Sequence, residues 1–106
     1  KPTALLGRFA SEWSERALPR QVADKSAACL LDSVGLALLA SEERTVSALR
    51  KLLPRVEDRR QSGRVWADQA RVGLADAVLA NAVAVHAHFH DDSEMNSWCH
   101  PGSFVI

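Results

Sequence analysis

Two stretches decide the fold: residues 27–40 read AACLLDSVGLALLA, and residues 77–87 read AVLANAVAVHA. Wound as helices, both are apolar on nearly every side, which is typical of a buried helix. Gly35 costs about 1 kcal/mol relative to Ala inside a helix, so a close helix crossing is expected there. Asn81 and His86 interrupt the second stretch and need buried partners, because an unpaired polar group costs on the order of 1–3 kcal/mol.

The hydrophobic periodicity outside these stretches is also helical. Four helices are predicted, over residues 4–13, 19–40, 42–53 and 69–88. Pro19 suits the first turn of the second helix, Pro54 ends the third, and Asp68 is in position to cap the fourth. The polar segment 56–64 contains a glycine and is expected to be a mobile connection. No stretch shows the alternation of a strand, so the sequence predicts an all-α fold.

The composition is that of one ordinary globular domain. The 106 residues are 47% apolar and 25% charged, and thirteen basic side chains balance thirteen acidic ones. Nucleic-acid binders and proteins that bind anionic membranes usually carry a basic surplus, so neither partner is expected. No apolar run is long enough to predict a spanning helix.

The cysteines and the chain ends suggest a compartment and an incomplete fold. Cys29 lies in an apolar helical stretch and Cys99 lies beside a histidine, so the pair does not suggest a disulfide framework. The cytoplasm, which keeps thiols reduced, is therefore the expected location. Because the sequence begins with Lys1 and ends in an apolar run, we expect the fold to continue beyond this chain.

The residues best suited to catalysis or metal binding lie at the end of the fourth predicted helix and after it. They read HAHFHDDS at 86–93 and HPG at 100–102. One interpretation is a metal site, because histidine and aspartate are suitable ligands for zinc or iron. However, Ala87 stands where a zinc-protease helix has its catalytic Glu, and the chain is too short for the folds that use a His-x-His-x-Asp-His loop. The pattern therefore favours no metal.

Two other interpretations of these residues stay open. Histidine can both take and give a proton near neutral pH, so a histidine held in the rigid turn His100-Pro101-Gly102 is suited to acid–base work on a carboxylate-bearing substrate. Alternatively, the histidines and aspartates form an ordinary loop and only bond their own backbone and solvent.

Three blocks of the sequence resemble the N-terminal region of the MmgE/PrpD family. Residues 30–35, LLDSVG, are similar to its LLDTLG helix, and residues 80–87, ANAVAVHA, are similar to its ANGxAxHA helix. Asp91-Asp92-Ser93 with HPG at 100–102 is similar to its DDT and HPG or HPS loop. The blocks span nearly the whole chain in the family order. The resemblance implies a large helical domain, a smaller α+β domain, a homodimer and no organic cofactor, as in 2-methylcitrate dehydratase and cis-aconitate decarboxylase.

The resemblance also implies roles for individual residues. His100 matches a loop histidine that transfers a proton or orients the substrate, and Ser93 matches a loop threonine whose hydroxyl can bond a substrate carboxylate. Asp91 and Asp92 match the acidic pair. The helix residues Asn81 and His86 match polar groups that we interpret as structural.

One carboxylate of the family motif is absent. An ungapped match puts Phe89 at the first Asp of the family's DFDDT, a one-residue shift puts His88 there, and the spacing from Ser93 to His100 is one residue longer than usual. No neutral residue replaces a base of matched pKa, so an altered reaction is expected, with His90 or His88 substituting for the lost group.

Together these residues predict a fragment or small subunit of a lyase, isomerase or cyclase that uses acid–base chemistry on a small carboxylic acid. The expected catalytic residues are His100, Asp91 and His90, and the expected substrate-binding residues are Ser93, Asp92 and His88. The rest of the fold would come from a continuing or a second polypeptide, in a homo- or hetero-oligomer. The alternative is a non-catalytic helical module for dimerisation or regulation, which the altered acidic motif favours.

Overall fold

The computed structural model describes residues 1–14, 16–66, 68 and 70–105. The elements are α1 (Pro2–Ser14), α2 (Arg20–Leu39), a 3₁₀ turn (Ala40–Glu42), α3 (Arg44–Leu52), β1 (Ser62–Arg64), β2 (Arg71–Gly73), α4 (Leu74–His86) and α5 (Gly102–Val105). The described chain is mostly helical, so the predicted fold class is confirmed. None of the described helices is both long enough and apolar enough to cross a membrane.

Helix α4 is the centre of the fold, because α2, α3, the strand pair and α5 all pack against it. Small side chains on α4 let these neighbours approach closely. One face of α4 contributes Ala84 and Val85 to an apolar cluster with Ala37, Ala40 and Val46. A second cluster joins α4 to the strand pair and consists of Val65, Val72, Ala77 and Ala80. The core therefore holds α4 in place from two sides.

The strand pair between α3 and α4 was not predicted from the sequence. β1 and β2 are antiparallel, with Gly63 opposite Val72. A Cβ atom at Gly63 would overlap the Cβ atom of Ala77, so glycine is needed for the strand to lie against α4. The segment 56–64 is held at its start as well, where the Val56 N–H donates to the Arg71 carbonyl at 2.9 Å. The expectation of a mobile connection is therefore wrong for its ends.

The start of the fourth helix was also predicted wrongly. The helix begins at Leu74, because residues 71–73 pair with β1 instead of joining the helix. Asp68 does not cap it, since its Oδ1 accepts a hydrogen bond from the Ala70 N–H at 3.0 Å. Gln69, the predicted first residue, lies outside the described residues.

Helix α2 is less buried than its composition suggests. Its buried residues are Ser33 and Ala37, whereas Leu31 is 75% exposed and Leu39 is 66% exposed. Around Gly35, no described atom apart from its chain neighbours and the backbone of its own helix comes within 4 Å of the position of an added Cβ, so the predicted close crossing is not formed among these residues. The outer face of α2 has no cover from the described chain.

Asn81 connects α4 to the segment that follows β1. Its side-chain oxygen accepts a hydrogen bond from the Trp66 N–H at 3.0 Å, and its side-chain nitrogen donates to the Arg64 carbonyl at 3.0 Å. The prediction that this residue needs buried partners is confirmed.

Replacing Asn81 with Ala should lower the free energy of unfolding of the complete protein by roughly 2 kcal/mol or more, because two backbone groups lose their partners. Urea denaturation measures the change. Gln21→Ala, at an exposed position of α2, is the control and should change stability by no more than about 0.5 kcal/mol. Equal stability of the two variants would contradict this role.

Candidate active site

Three titratable side chains from separate segments meet where α4 ends. His86 is the last residue of α4, Asp91 follows it by five residues, and His100 lies two residues before α5. The Nδ1 atom of His86 is 3.1 Å from one carboxylate oxygen of Asp91 and 3.2 Å from the other. The Nδ1 atom of His100 is 3.2 Å from Oδ1 of Asp91. Asp91 is thus shared by two imidazole rings, and we call these three residues the His–Asp–His cluster.

Burial makes this carboxylate dependent on its neighbours. The Asp91 side chain is 1% exposed, and a buried carboxylate is costly unless it is paired with a positive charge or accepts hydrogen bonds. His86 supplies a hydrogen bond to it. His100 is close enough for an ion pair, but its Nδ1 does not point along a hydrogen-bond direction and is a buried nitrogen without a hydrogen-bond partner. The cluster therefore has one nitrogen, Nδ1 of His100, that takes part in no hydrogen bond.

The two rings of the cluster lie edge to face, with ring centroids 4.8 Å apart and planes inclined by 73°. Both rings line a cavity of about 400 Å³, a size that suits a small ligand. The cavity is lined by Ala82, Val83, His86, Trp98, Cys99, His100 and Ser103. Imidazole groups therefore face a largely apolar space.

The loop between Asp91 and His100 is shaped by Glu94. Its carboxylate accepts hydrogen bonds from the N–H groups of Asn96 and Ser97 and from the Ser97 hydroxyl. These bonds, the Ser97 hydroxyl first, lower the pKa of Glu94 from 4.5 to about 2. Its own N–H donates to the Cys99 carbonyl at 2.9 Å. Glu94 thus closes the turn that leads back to His100.

The lowered pKa of Glu94 predicts the direction in which the stability of this turn changes with pH. The stabilisation from the ionised Glu94 is fully present above about pH 4.5 and is lost as the pH falls toward about 2. We expect Glu94→Gln to speed amide hydrogen exchange at Asn96 and Ser97 at neutral pH, with the difference from the wild type shrinking at acid pH. Glu12→Gln on exposed α1 is the control. Unchanged exchange in the Glu94 variant would contradict the assigned bonds.

The backbone is strained just before this loop and near its end. Phe89 has φ 55° and Trp98 has φ 53°, a left-handed conformation that bulky residues rarely adopt. The rings of Phe89 and His86 lie edge to face with centroids 4.5 Å apart, and Trp98 lines the cavity. Such strain is concentrated at functional sites, where the surrounding contacts hold it in place.

The turn after His100 is fixed by Asp92 and Gly102. The Gly102 N–H donates to Oδ1 of Asp92 at 2.8 Å, and a Cβ atom at Gly102 would overlap this carboxylate. The Ser103 hydroxyl donates to the His100 carbonyl at 2.9 Å. One oxygen of Asp92, a predicted substrate-binding residue, thus already has a structural partner.

The structure divides the predicted site residues into two groups. His100 and Asp91 lie together in the cluster. His88 and His90 instead stack on each other with ring centroids 6.2 Å apart, and His88 Nε2 lies 3.8 Å from a carboxylate oxygen of Glu43. His90, Asp92 and Ser93 are exposed. His86, interpreted from the sequence as structural, is the added member of the cluster.

Comparison with known families identifies the domain to which the chain is similar. The family model described as the MmgE/PrpD N-terminal domain matches residues 4–106, a range that contains the whole His–Asp–His cluster. No curated protein and no solved structure matches the chain.

Proposed function

Because this chain belongs to the MmgE/PrpD family, we propose that it is the N-terminal part of a lyase or isomerase that moves a proton on a small carboxylic acid. Dehydratases and other lyases are associated with the family. The observation that carries the proposal is His100 on the wall of a cavity, beside the buried carboxylate of Asp91. A histidine next to a carboxylate is a common arrangement for general acid–base catalysis.

The proposed roles follow from which nitrogen of His100 faces Asp91. Its Nδ1 lies 3.2 Å from the carboxylate, which leaves Nε2 as the nitrogen for a substrate proton. In its neutral form, Nε2 takes a proton from a carbon next to a substrate carboxylate, and the Asp91 carboxylate stabilises the imidazolium that forms. A double bond forms as the leaving group departs with the electron pair, and in a dehydration the proton returns to the leaving hydroxyl as water. A small rotation of the ring completes the Nδ1–H bond to Asp91.

The substrate carboxylates need positive partners that this part of the chain does not place at the cavity. Among the described residues that line the cavity, none is a lysine or an arginine. We propose that the rest of the fold supplies the cations, and that Ser93 contributes its hydroxyl to a substrate carboxylate. His88 and His90 are proposed to act only at the rim of the site, because their contacts lie outside the cluster.

Exposed apolar faces support the proposal that more of the fold covers this chain. The buried apolar residues of the described chain are all Ala or Val, whereas many of its large apolar side chains are exposed to solvent. Leu5, Phe9, Leu31 and Leu39 are each more than 60% exposed. Helix α1 packs against no other helix or strand of the described chain. We propose that a continuing or second polypeptide covers these faces, within a homo- or hetero-oligomer in the cytoplasm, where Cys29 and Cys99 stay unpaired.

A second candidate function is a non-catalytic dimerisation or regulatory module. It is favoured by Phe89, which stands at the position of the family carboxylate in the ungapped match and is 70% exposed. Neither ring of the His88 and His90 pair replaces that carboxylate inside the cluster.

Proton exchange separates the two candidates. We expect the complete protein, incubated in D₂O with a panel of small hydroxy and unsaturated polycarboxylic acids, to introduce deuterium next to a carboxylate of at least one of them. Proton NMR follows the exchange and detects loss of water or carbon dioxide. Absence of exchange and of turnover across the panel would favour the non-catalytic module.

A further inference from the structure

We propose that the His–Asp–His cluster binds one divalent transition-metal ion of the zinc class, through His86, Asp91 and His100. One possible ligand atom from each residue lies within 4.8 Å of the other two. Two imidazoles and one carboxylate are a ligand set that zinc and non-haem iron both accept. This assignment stands on the geometry alone and does not depend on the proposed reaction.

The distances inside the cluster are close to those of a coordinated ion. Nitrogen and oxygen ligands bind zinc at about 2.0–2.2 Å, which puts tetrahedral ligand atoms roughly 3.3–3.5 Å apart. Oδ1 of Asp91 is 3.2 Å from Nδ1 of His86 and 3.2 Å from Nδ1 of His100. All three possible ligand atoms lie within 4.8 Å of one another, so small rotations of the side chains suffice to bring them around one ion. The side chains of His86 and His100 are 38% and 27% exposed, so both rings have space to turn.

A buried nitrogen atom without a hydrogen-bond partner also supports a metal site. Nδ1 of His100 is buried and makes no hydrogen bond, although a buried polar atom without a partner is costly. It faces Asp91, whose side chain is almost fully buried. A cation between them would satisfy the nitrogen and neutralise the carboxylate together.

The protein supplies three ligands, which leaves a fourth position. Sites that keep such a position open toward a cavity bind a water molecule or a ligand there. Here His86 and His100 line the 400 Å³ cavity. A metal bound to Nδ1 of His100 would also prevent that ring from acting as a free base, so metal binding and the proposed proton transfer are alternative states of the same side chains.

The sequence pattern argued against a metal because it matches no known zinc motif. The proposed site has no such motif, because its ligands come from a helix end, a loop and a turn that only the fold brings together. His88 and His90 are not among them. Those two histidines form a separate pair, His88 part-exposed and His90 exposed, that can attract metal ions weakly. A test must therefore distinguish the cluster from this pair.

Zinc binding to the complete protein, without a histidine tag, can be measured by competition with a chromogenic chelator, and cobalt(II) absorption reports the coordination. We expect about one equivalent of zinc per chain. His86→Gln and Asp91→Asn should each weaken binding at least about ten-fold, since each removes a ligand. The double variant His88→Ala, His90→Ala should bind as the wild type does. Circular dichroism checks that each variant is folded, and the part-exposed His86 keeps the test valid if the Asp91 variant does not fold.

Three outcomes would overturn the assignment. These are no stoichiometric binding by the wild type, unchanged binding by folded His86→Gln, and loss of binding in the His88→Ala, His90→Ala variant. The last two would indicate an adventitious ion only. Each readout is a binding constant or a spectrum, so failure here leaves the proton-exchange test of the proposed function unaffected.

Discussion

Replacing His100 with Gln should lower kcat of the complete protein by at least about a hundred-fold, because proton transfer by a positioned side chain contributes 10²–10⁴-fold in rate. The melting temperature should stay unchanged, since the His100 side chain is part-exposed and makes no hydrogen bond through Nδ1. Steady-state kinetics with the best acid from the exchange panel, together with a thermal melt, measures both effects.

His90→Gln is the matched comparison for that variant. The sequence predicted His90 as a catalytic substitute, but the structure shows its ring exposed and stacked on His88. We therefore expect a much smaller loss of kcat than in His100→Gln. Wild-type activity of His100→Gln would end the assignment of His100. Equal losses in both variants would mean that His90 also takes part in proton transfer.

Gly102→Ala should destabilise the protein and impair turnover together. The added Cβ overlaps the Asp92 carboxylate, so the hydrogen bond from the Gly102 N–H to Asp92 must break or the turn must move. Asp92 is exposed and its carboxylate can swing aside, so the main cost is the lost hydrogen bond, about 1 kcal/mol. A displaced turn also moves His100 relative to Asp91, which lowers kcat. Urea denaturation and steady-state kinetics measure the two effects.

Gly7→Ala is the control for the added methyl group. Gly7 is inside helix α1, and no described atom apart from its chain neighbours and the backbone of that helix lies within 4 Å of the position of its Cβ. Alanine should therefore raise helix stability there, by up to about 1 kcal/mol. If Gly102→Ala were as stable and as active as Gly7→Ala, the tight turn would not be required.

The helices could be predicted from the sequence because their signal is local. The runs around Ala37 and Ala84 are long and apolar, and each became a helix whose small residues pack in the core. The strand pair could not be predicted, because three residues are too few to show alternation and β1 reads Ser-Gly-Arg. The error at Asp68 has the same origin, since pairing with β1 took residues 71–73 from the expected helix.

The site could be predicted only in part, because its geometry depends on contacts across the loop. The pairing of His100 with Asp91 agrees with the roles that the family resemblance implied for them, and their contribution to catalysis stays a prediction. His86 was missed as a site residue, although its position five residues before Asp91 at a helix end was a usable signal. The pairing of His88 with His90 could not be predicted, because the left-handed backbone at Phe89 redirects the chain between them.

A double-mutant cycle tests the central claim, that Asp91 and His100 act together. Asp91→Asn, His100→Gln and the double variant of the complete protein are compared by kcat/KM, with circular dichroism to show that each is folded. We expect the double variant to lose about as much activity as His100→Gln alone, because Asp91 acts through that ring. Losses that multiply would contradict the account, since they would mean that the two side chains contribute independently.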